Sequence, residues 1–331
     1  MSSSNRIAFT LAELLVLLAI LGISLGILFP VVQSIRESSL RTACAHNMRE
    51  IGYALHNFES SQGSFPSAGQ AKRGDAPGGS PSDDVFFAFD NELENLGNAS
   101  LSFQCYILPF IEKSEVYNQM SFNIRYDDAL SEDSTGQYGA KTPISRFLCP
   151  AVKGRRLGTD AEGFGFTDYS APVTVRPNLG SNTKRFKCIL NGDSDRSMRT
   201  ILDGTSQTIA IAEVAGRVDV GSGGFMAIKV DAMSDGTIVK RRPWAWADPD
   251  NSFNVDKLVN NNSTPIGGPI GFSWDIDNCG PNQETFSFHP GGANVVFCDG
   301  TVRFILESID NVSFAALLSK DGNEEIASDQ W

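Results

Sequence analysis

Histidine and clustered basic residues are scarce in this sequence, and their scarcity argues against several functions. Only three of the 331 residues are histidines, so a histidine-rich metal centre is excluded. The net charge is −12 and there is no long lysine and arginine run, which argues against a nucleic-acid partner because phosphate binding needs a basic face. The G-x-S-x-G, H-E-x-x-H and P-loop patterns are absent, so the sequence predicts no enzyme.

Cysteines are present, but they lack the close spacing that is typical of metal and redox motifs. No two of them form a C-x-x-C pair, which weakens a zinc-knuckle or thioredoxin-like interpretation. Many disulfide pairings are open, and the sequence does not select one; buried free thiols are the simpler alternative. The six are Cys44, Cys105, Cys149, Cys188, Cys279 and Cys298.

A long apolar run near the N-terminus, "RIAFTLAELLVLLAILGISLGILFP", carries a single carboxylate, Glu13. From Phe9 to Phe29 it reaches the ~20 residues that a helix needs to cross a membrane. A cleaved secretory signal would have a shorter apolar region and a small-residue cleavage site, whereas this run ends in Phe29-Pro30. A plain membrane anchor fits the length but gives Glu13 no role beyond snorkelling to the interface.

The leader "MSSSNRIA" followed by "FTLAELLVLLAILGI" resembles the prepilin-type signal of type IV pilins and type II secretion pseudopilins. The resemblance implies cleavage between Ala8 and Phe9 by a prepilin peptidase, which also methylates the new N-terminus at Phe9. Alanine at position 8 departs from the usual glycine. Glu13 would then be the fifth residue of the cleaved chain and would pair with the terminal amine of a neighbouring pilin-like subunit during assembly.

The two indications of membrane topology disagree. Arg36, Arg41 and Arg49 follow the apolar run while only Arg6 precedes it, so the positive-inside rule places the body in the cytoplasm. The prepilin resemblance implies the opposite: a single-pass inner-membrane protein whose C-terminal head lies on the periplasmic, extracytoplasmic side. We take the second arrangement as the expectation.

The helix is predicted to continue past the membrane. An apolar stripe at steps of three and four residues indicates one buried face, on which Gly52 and Gly63 are the expected weak points. His46 and His56 are interpreted as structural or solvated. The stripe consists of Leu40, Cys44, Met48, Ile51, Leu55 and Phe58. The predicted organisation is a leader (1–8), a transmembrane helix (9–30), its amphipathic continuation (31–62) and a globular head (63–331).

Short strands and turns dominate the head, which predicts an α+β, pilin-like fold with a long N-terminal transmembrane and amphipathic helix on a mostly antiparallel β head. Asp235-Gly236 indicates a hairpin, and "ISRFLCPA" a short strand ended by Pro150. "RPWAWA" is either an exposed stacking platform formed by Trp244 and Trp246 or, as we favour, a core strand.

The stretch "SFHPGGANVVFCDGTVRFI" predicts a C-terminal hairpin with Asp299-Gly300 in a type I′ turn. His289 and Asp299 form an H-x9-D-G pattern, and Gly291 and Gly292 allow unusual backbone shapes. The favoured interpretation is structural, with His289 hydrogen-bonding its own loop. The alternatives are a ligand site, with calcium at Asp299, and a catalytic centre on the two residues.

This C-terminal stretch resembles the signature of the DUF1559 family of prepilin-like proteins. The blocks "CAHNMREIGYALHNFESSQGSFP", "RFLCPA" and "ILDGTSQTIAIAE" add to the resemblance. It implies a structural subunit of a type II secretion or type IV pilus-like assembly, without cofactor. The alternative is a membrane-tethered extracytoplasmic binding module that uses the same biogenesis and does not polymerise.

Overall fold

The computed structural model describes residues 11–69, 101–122, 126–127, 139–152, 158–176, 185–191, 195–217, 229–232, 238–255, 258–260 and 284–322. The predicted cleavage site at Ala8 and Phe9, the Asp235-Gly236 turn and Cys279 lie outside these residues. The chain divides between Thr42 and Ala43 into two compact units.

The first unit contains the apolar part of helix α1, which runs from Leu11 to Gln62. Its large apolar side chains from Leu11 to Ile35 are exposed. An 18-residue window of this helix has a mean hydropathy of 2.8, and none of the window is buried. By length and composition this segment can cross a membrane. Exposed carbon surface of this kind is stable only when lipid or protein covers it.

The second unit begins with the remainder of α1, which is packed into the head. Four residues of the predicted stripe are buried, whereas Leu40 and Phe58 are half-buried. The buried residues of the helix are Cys44, Met48, Ile51, Gly52, Ala54 and Leu55. Gly52 does not interrupt the helix. Gly63 ends it with a φ of +77°, and its N–H donates to the carbonyl of Glu59 at 2.7 Å.

Nine short strands and three further helices are described in the head, so the predicted α+β class is confirmed. The helices are α2 (Phe103–Ile107), α3 (Ser114–Asn118) and α4 (Asn311–Leu318). The strands are β1 (Tyr169–Ser170), β2 (Pro172–Val175), β3 (Phe186–Lys187), β4 (Ile209–Glu213), β5 (Lys229–Ala232), β6 (Ile238–Arg241), β7 (Phe253–Val255), β8 (Gly292–Phe297) and β9 (Val302–Leu306).

The main sheet has the strand order β1-β4-β8-β9 and is antiparallel throughout. A second sheet has the order β3-β2-β7, with β2 and β7 parallel, and β5 pairs with β6 as an antiparallel ribbon. The core between them includes Phe253, Val295, Phe297 and Phe314, the last from α4. Because β4 has a neighbouring strand on each side in the main sheet, its last residue, Glu213, lies in the interior.

Two predictions for the head are decided by burial and backbone hydrogen bonds. Trp244 and Trp246 are fully buried, so the exposed stacking platform was wrong. The favoured core strand was right about burial but wrong about the strand, because both residues lie in turns and Ala245 forms only an isolated bridge to Phe166. The strand predicted over "ISRFLCPA" was also wrong, because Ser145–Phe147 form a 3-10 turn. The backbone of Leu148 and Cys149 bonds to side chains instead of to a neighbouring strand.

Candidate functional site

The first component of the site is a disulfide between Cys44 of α1 and Cys149, with the two Cα atoms 5.1 Å apart. Both cysteines are buried. Two side chains hold the backbone beside Cys149: Asn47 donates to the carbonyl of Leu148 at 2.9 Å, and Asp168 accepts from the N–H of Cys149 at 2.7 Å. These bonds replace a strand ladder and fix Cys149 against the helix.

The other cysteines of the described residues follow the simpler interpretation. Cys105, Cys188 and Cys298 are buried free thiols. Burial raises the pKa of each thiol well above its ordinary value, because a thiolate loses its hydration in the apolar interior. Among the cysteines that the structure describes, only Cys44 and Cys149 are joined to each other.

His289 and Glu213 complete the site, and both side chains are fully buried. His289 Nε2 lies 3.6 Å from Cys149 Sγ and 3.5 Å from Glu213 Oε1. Glu213 Oε2 accepts from the backbone N–H of Asn294 at 3.0 Å and from its side-chain amide at 3.1 Å. Glu213 Oε1 has no hydrogen-bond donor in the structure, and it faces the imidazole.

The "SFHPGG" loop aims His289 at the disulfide. Ser287 Oγ accepts from the N–H of His289 at 3.0 Å and donates to the carbonyl of Gly292 at 2.6 Å, which closes the loop. Gly291 has a φ of +87°, a conformation that suits glycine. At Gly292 a Cβ would come within 2.1 Å of the Ile305 carbonyl oxygen. The two glycines shape the loop, as predicted from their conformational freedom. The His289 side chain points out of the loop towards Cys149 and Glu213.

Four potential metal ligands thus meet at one buried point. The sulfurs of Cys44 and Cys149, a carboxylate oxygen of Glu213 and a ring nitrogen of His289 all lie within 4.8 Å of one another. Each comes from a different segment: α1, the turn after Phe147, the end of β4 and the loop before β8. We call these four residues the buried tetrad.

The H-x9-D-G pattern does not bring its two polar residues together. His289 precedes β8 and Asp299 follows it, so the two residues lie at opposite ends of this strand. Asp299 Oδ1 accepts from the N–H of Thr301 at 2.9 Å and from its hydroxyl at 2.6 Å, a local turn contact. The two residues therefore do not face each other across the hairpin, and calcium at Asp299 stays a prediction.

The turn that contains Asp299 differs from the predicted type I′. Gly300 has a φ of +81° and donates to the carbonyl of Phe297 at 2.9 Å. Asp299 does not have a positive φ, whereas a type I′ turn requires one at both central residues. The type I′ prediction was therefore wrong. The hairpin uses a longer loop in which only the glycine adopts the left-handed conformation.

The turn packs on α1 further along the helix than the disulfide. A Cβ at Gly300 would lie 3.1 Å from His56 Cδ2, and a Cβ at Gly52 would lie 2.9 Å from Val296 Cγ1. The strand β8 is therefore fixed to the helix side of the head at both ends, by the buried tetrad before it and by the glycine contact after it. The His56 ring therefore packs beside this turn.

Cys44, Cys149 and Glu213 were not predicted as site residues. A signal was present, because each of the four tetrad residues lies in one of the sequence blocks that carry the family resemblance. Pattern spacing cannot join blocks that are separated by up to hundreds of residues, whereas the fold does so directly.

Comparison with known proteins supports the family resemblance that these sequence blocks carry. Residues 33–312 match the model of a family described as a protein of unknown function, DUF1559. No curated protein and no solved structure matches the chain. The family match begins within α1 and ends within α4, so it includes all four tetrad residues and both ends of the C-terminal hairpin. Because it spans well over half of the sequence, the chain belongs to the DUF1559 family.

Proposed function

We propose that this protein is a membrane-anchored, pilin-like structural subunit of a type II secretion or type IV pilus-like assembly. In this proposal a prepilin peptidase cuts between Ala8 and Phe9 and methylates Phe9. The apolar part of α1 then holds the subunit in the inner membrane and packs against the same segment of other pilin-like subunits.

The observation that carries the proposal is the division of α1 into two different surfaces. Up to Ile35 its large apolar side chains are exposed, while from Cys44 to Leu55 one face is buried in the head. A single helix that offers apolar surface at one end and is built into a domain at the other suits a subunit whose helix is covered by lipid and by its neighbours.

Glu13 supports assembly over simple anchoring. It lies in the first turn of α1 as the structure describes it, on an exposed position among apolar side chains. A carboxylate in hydrocarbon is costly, so such residues in membrane helices face polar or charged partners. The amine created by cleavage before Phe9 of a second subunit is a partner of the right charge.

The disulfide bears on the conflict over topology. Structural disulfides persist in oxidising compartments and are rare in the cytoplasm. The Cys44–Cys149 bond therefore favours a head on the extracytoplasmic side, in agreement with the prepilin resemblance and against the count of arginines. The alternative of a non-polymerising binding module loses its stacking platform, since Trp244 and Trp246 are buried.

The test uses the full chain in its native membrane. Mass spectrometry of the N-terminus should find methylated Phe9, and an intact Met1 would contradict the processing step. A photoreactive residue at exposed Leu21 should give crosslinks between copies or to other pilin-like subunits.

The Glu13→Ala variant should be processed normally but lose these crosslinks, while Gly26→Ala, a position with nothing within 4 Å, should retain them. Unchanged crosslinks in Glu13→Ala would show that this carboxylate does not direct assembly. An absence of crosslinks in the wild type would favour the non-polymerising module.

A further inference from the structure

The buried tetrad has a donor set that a disulfide alone does not explain. We propose that, when Cys44 and Cys149 are reduced, they bind one zinc ion together with Glu213 and His289. The same two sulfurs then form either a disulfide or half of a metal site, and the two states exclude each other. This inference does not depend on the proposed role in assembly.

The residue types fit zinc. Thiolate sulfur, imidazole nitrogen and carboxylate oxygen are its usual protein ligands, and structural zinc sites hold four of them in a closed tetrahedron. Two thiolates and one carboxylate around a divalent ion leave a net charge of −1, the same as in the common site with three cysteines and one histidine. Complete burial of all four side chains suits a closed site without a bound substrate.

The distances fit as well. Ligand atoms of a tetrahedral zinc site lie about 3.3–3.8 Å apart, given metal–ligand bonds of about 2.0–2.3 Å. His289 Nε2 already lies 3.6 Å from Cys149 Sγ and 3.5 Å from Glu213 Oε1. Cleavage of the S–S bond leaves the two sulfurs free to separate to the same spacing. The imidazole and carboxylate therefore need little movement.

The surroundings of Glu213 suit a metal ligand. Asn294 saturates Oε2 with two hydrogen bonds and so fixes the carboxylate plane. Within the described part of the chain, Oε1 is buried without a hydrogen bond and faces only the His289 ring, 3.5 Å away, so it has room for a metal bond. A metal ion in the tetrad would form that bond, while Asn294 would act as the outer partner that orients a ligand.

The chemistry balances without an added reductant. A newly made chain carries thiols; binding of Zn²⁺ forms two Zn–S bonds and releases two protons. A carrier protein with an oxidised dithiol then takes two electrons from the two sulfurs, and the Cys44–Cys149 bond forms. The carrier disulfide is reduced and takes up two protons, and Zn²⁺ is released. The metal would thus hold α1, β4 and the hairpin loop together before oxidation.

The experiment measures metal binding by the full chain in detergent. The chain is produced in a reducing cytoplasm with zinc, purified without oxidation, and its zinc content determined; Co²⁺ then replaces Zn²⁺ as an absorbing probe. We expect one metal per chain, with sulfur-to-cobalt charge transfer and the visible bands of tetrahedral Co²⁺. The oxidised chain should bind none.

Variants locate the site. Cys188→Ala, which removes a buried thiol outside the tetrad, should still bind one metal. The double variant Cys44→Ser/Cys149→Ser should bind none. His289→Gln and Glu213→Gln, whose folding can be checked in the oxidised form, should bind at least about tenfold more weakly after reduction.

Three results would overturn the proposal: a reduced wild-type chain without bound metal, binding by the oxidised chain, or unchanged affinity and spectrum in both His289→Gln and Glu213→Gln.

Discussion

Gly52 of α1 lies against Gly300 of the C-terminal hairpin turn, so closely that a Cβ on Gly52 would be 3.4 Å from the Gly300 carbonyl oxygen. A Cβ on Gly52 would crowd Val296 Cγ1 at 2.9 Å, and a Cβ on Gly300 would lie 3.1 Å from His56 Cδ2. The missing side chains allow the hairpin to approach the helix backbone directly, and they do so at the end of β8 that is remote from the disulfide.

Replacement of Gly52 by alanine should destabilise the head even though alanine is the better helix former by about 1 kcal/mol. The new Cβ would lie 2.9 Å from Val296 Cγ1, and such overpacking costs about 1–3 kcal/mol. We expect a net loss of about 1 kcal/mol in the free energy of unfolding, measured by denaturant titration in detergent. Gly26→Ala is the control, and a stabilised Gly52→Ala head would show that the contact is loose.

Loss of the disulfide should lower the stability of the head by about 4 kcal/mol. Its cysteines are 105 residues apart, and a cross-link over a long loop restricts the unfolded chain most. The comparison is wild type against Cys44→Ala/Cys149→Ala, with a chelator present, by denaturant titration. Reducing agent should destabilise the wild type and leave the double variant unchanged; equal sensitivity of the two would contradict this role.

Truncation of Glu213 to alanine should cost about 2–3 kcal/mol, because it leaves both the backbone and side-chain N–H groups of Asn294 buried without an acceptor. Glu213→Gln keeps an oxygen for Asn294 and places an amide near His289, so its cost should stay below about 1 kcal/mol. Thermal unfolding of the oxidised proteins measures both. Equal losses would show that charge, not the hydrogen bonds to Asn294, stabilises this position.

Asp310 should make the stability of the head depend on pH in acid. Hydrogen bonds from the Ser313 side chain and backbone, followed by that from the Val312 N–H, lower the pKa of this N-cap carboxyl below its ordinary value of 3.8. The stabilisation is therefore present above pH 3.8 and is lost as the pH falls through the lowered pKa.

Asp310→Ala should cost about 1 kcal/mol at neutral pH through loss of the cap. Asp310→Asn should retain most of the cap but lose the acid dependence, so the stability difference between wild type and Asp310→Asn should shrink as the pH falls below 3.8. Denaturant titrations at several pH values measure it, and a constant difference would contradict the assignment.

Periodic features of this fold could be predicted from sequence because they depend on neighbours in the chain. The stripe through Met48 and Ile51 and the β-rich runs on either side of Asp299-Gly300 are local patterns, and the helix and the hairpin formed as expected. The prediction of the turn type was wrong because the same Asp-Gly pair occurs in two-residue and in longer hairpin loops. These loops differ in which residue takes a positive φ, and the sequence does not show the loop length.

The site could not be predicted in the same way. The segment around Cys149 looks like a strand in isolation, yet Asn47 and Asp168 use the backbone groups that a strand would pair. Likewise, His289 was expected to bond within its loop because its partners, Cys149 and Glu213, are distant in sequence. Tertiary contacts determine the structure in both cases, and a periodic sequence pattern carries no information about such contacts.

The place of the disulfide has a mechanical consequence. Cys44 is the first buried residue of α1, so tension on the N-terminal part of the helix reaches a covalent bond before it reaches the packed residues beyond it. Without that bond, a pull could peel Met48, Ile51 and Leu55 from the head one turn at a time. With it, the load passes directly to Cys149 and, through its backbone N–H, to Asp168, so that the helix and this part of the head resist extraction together.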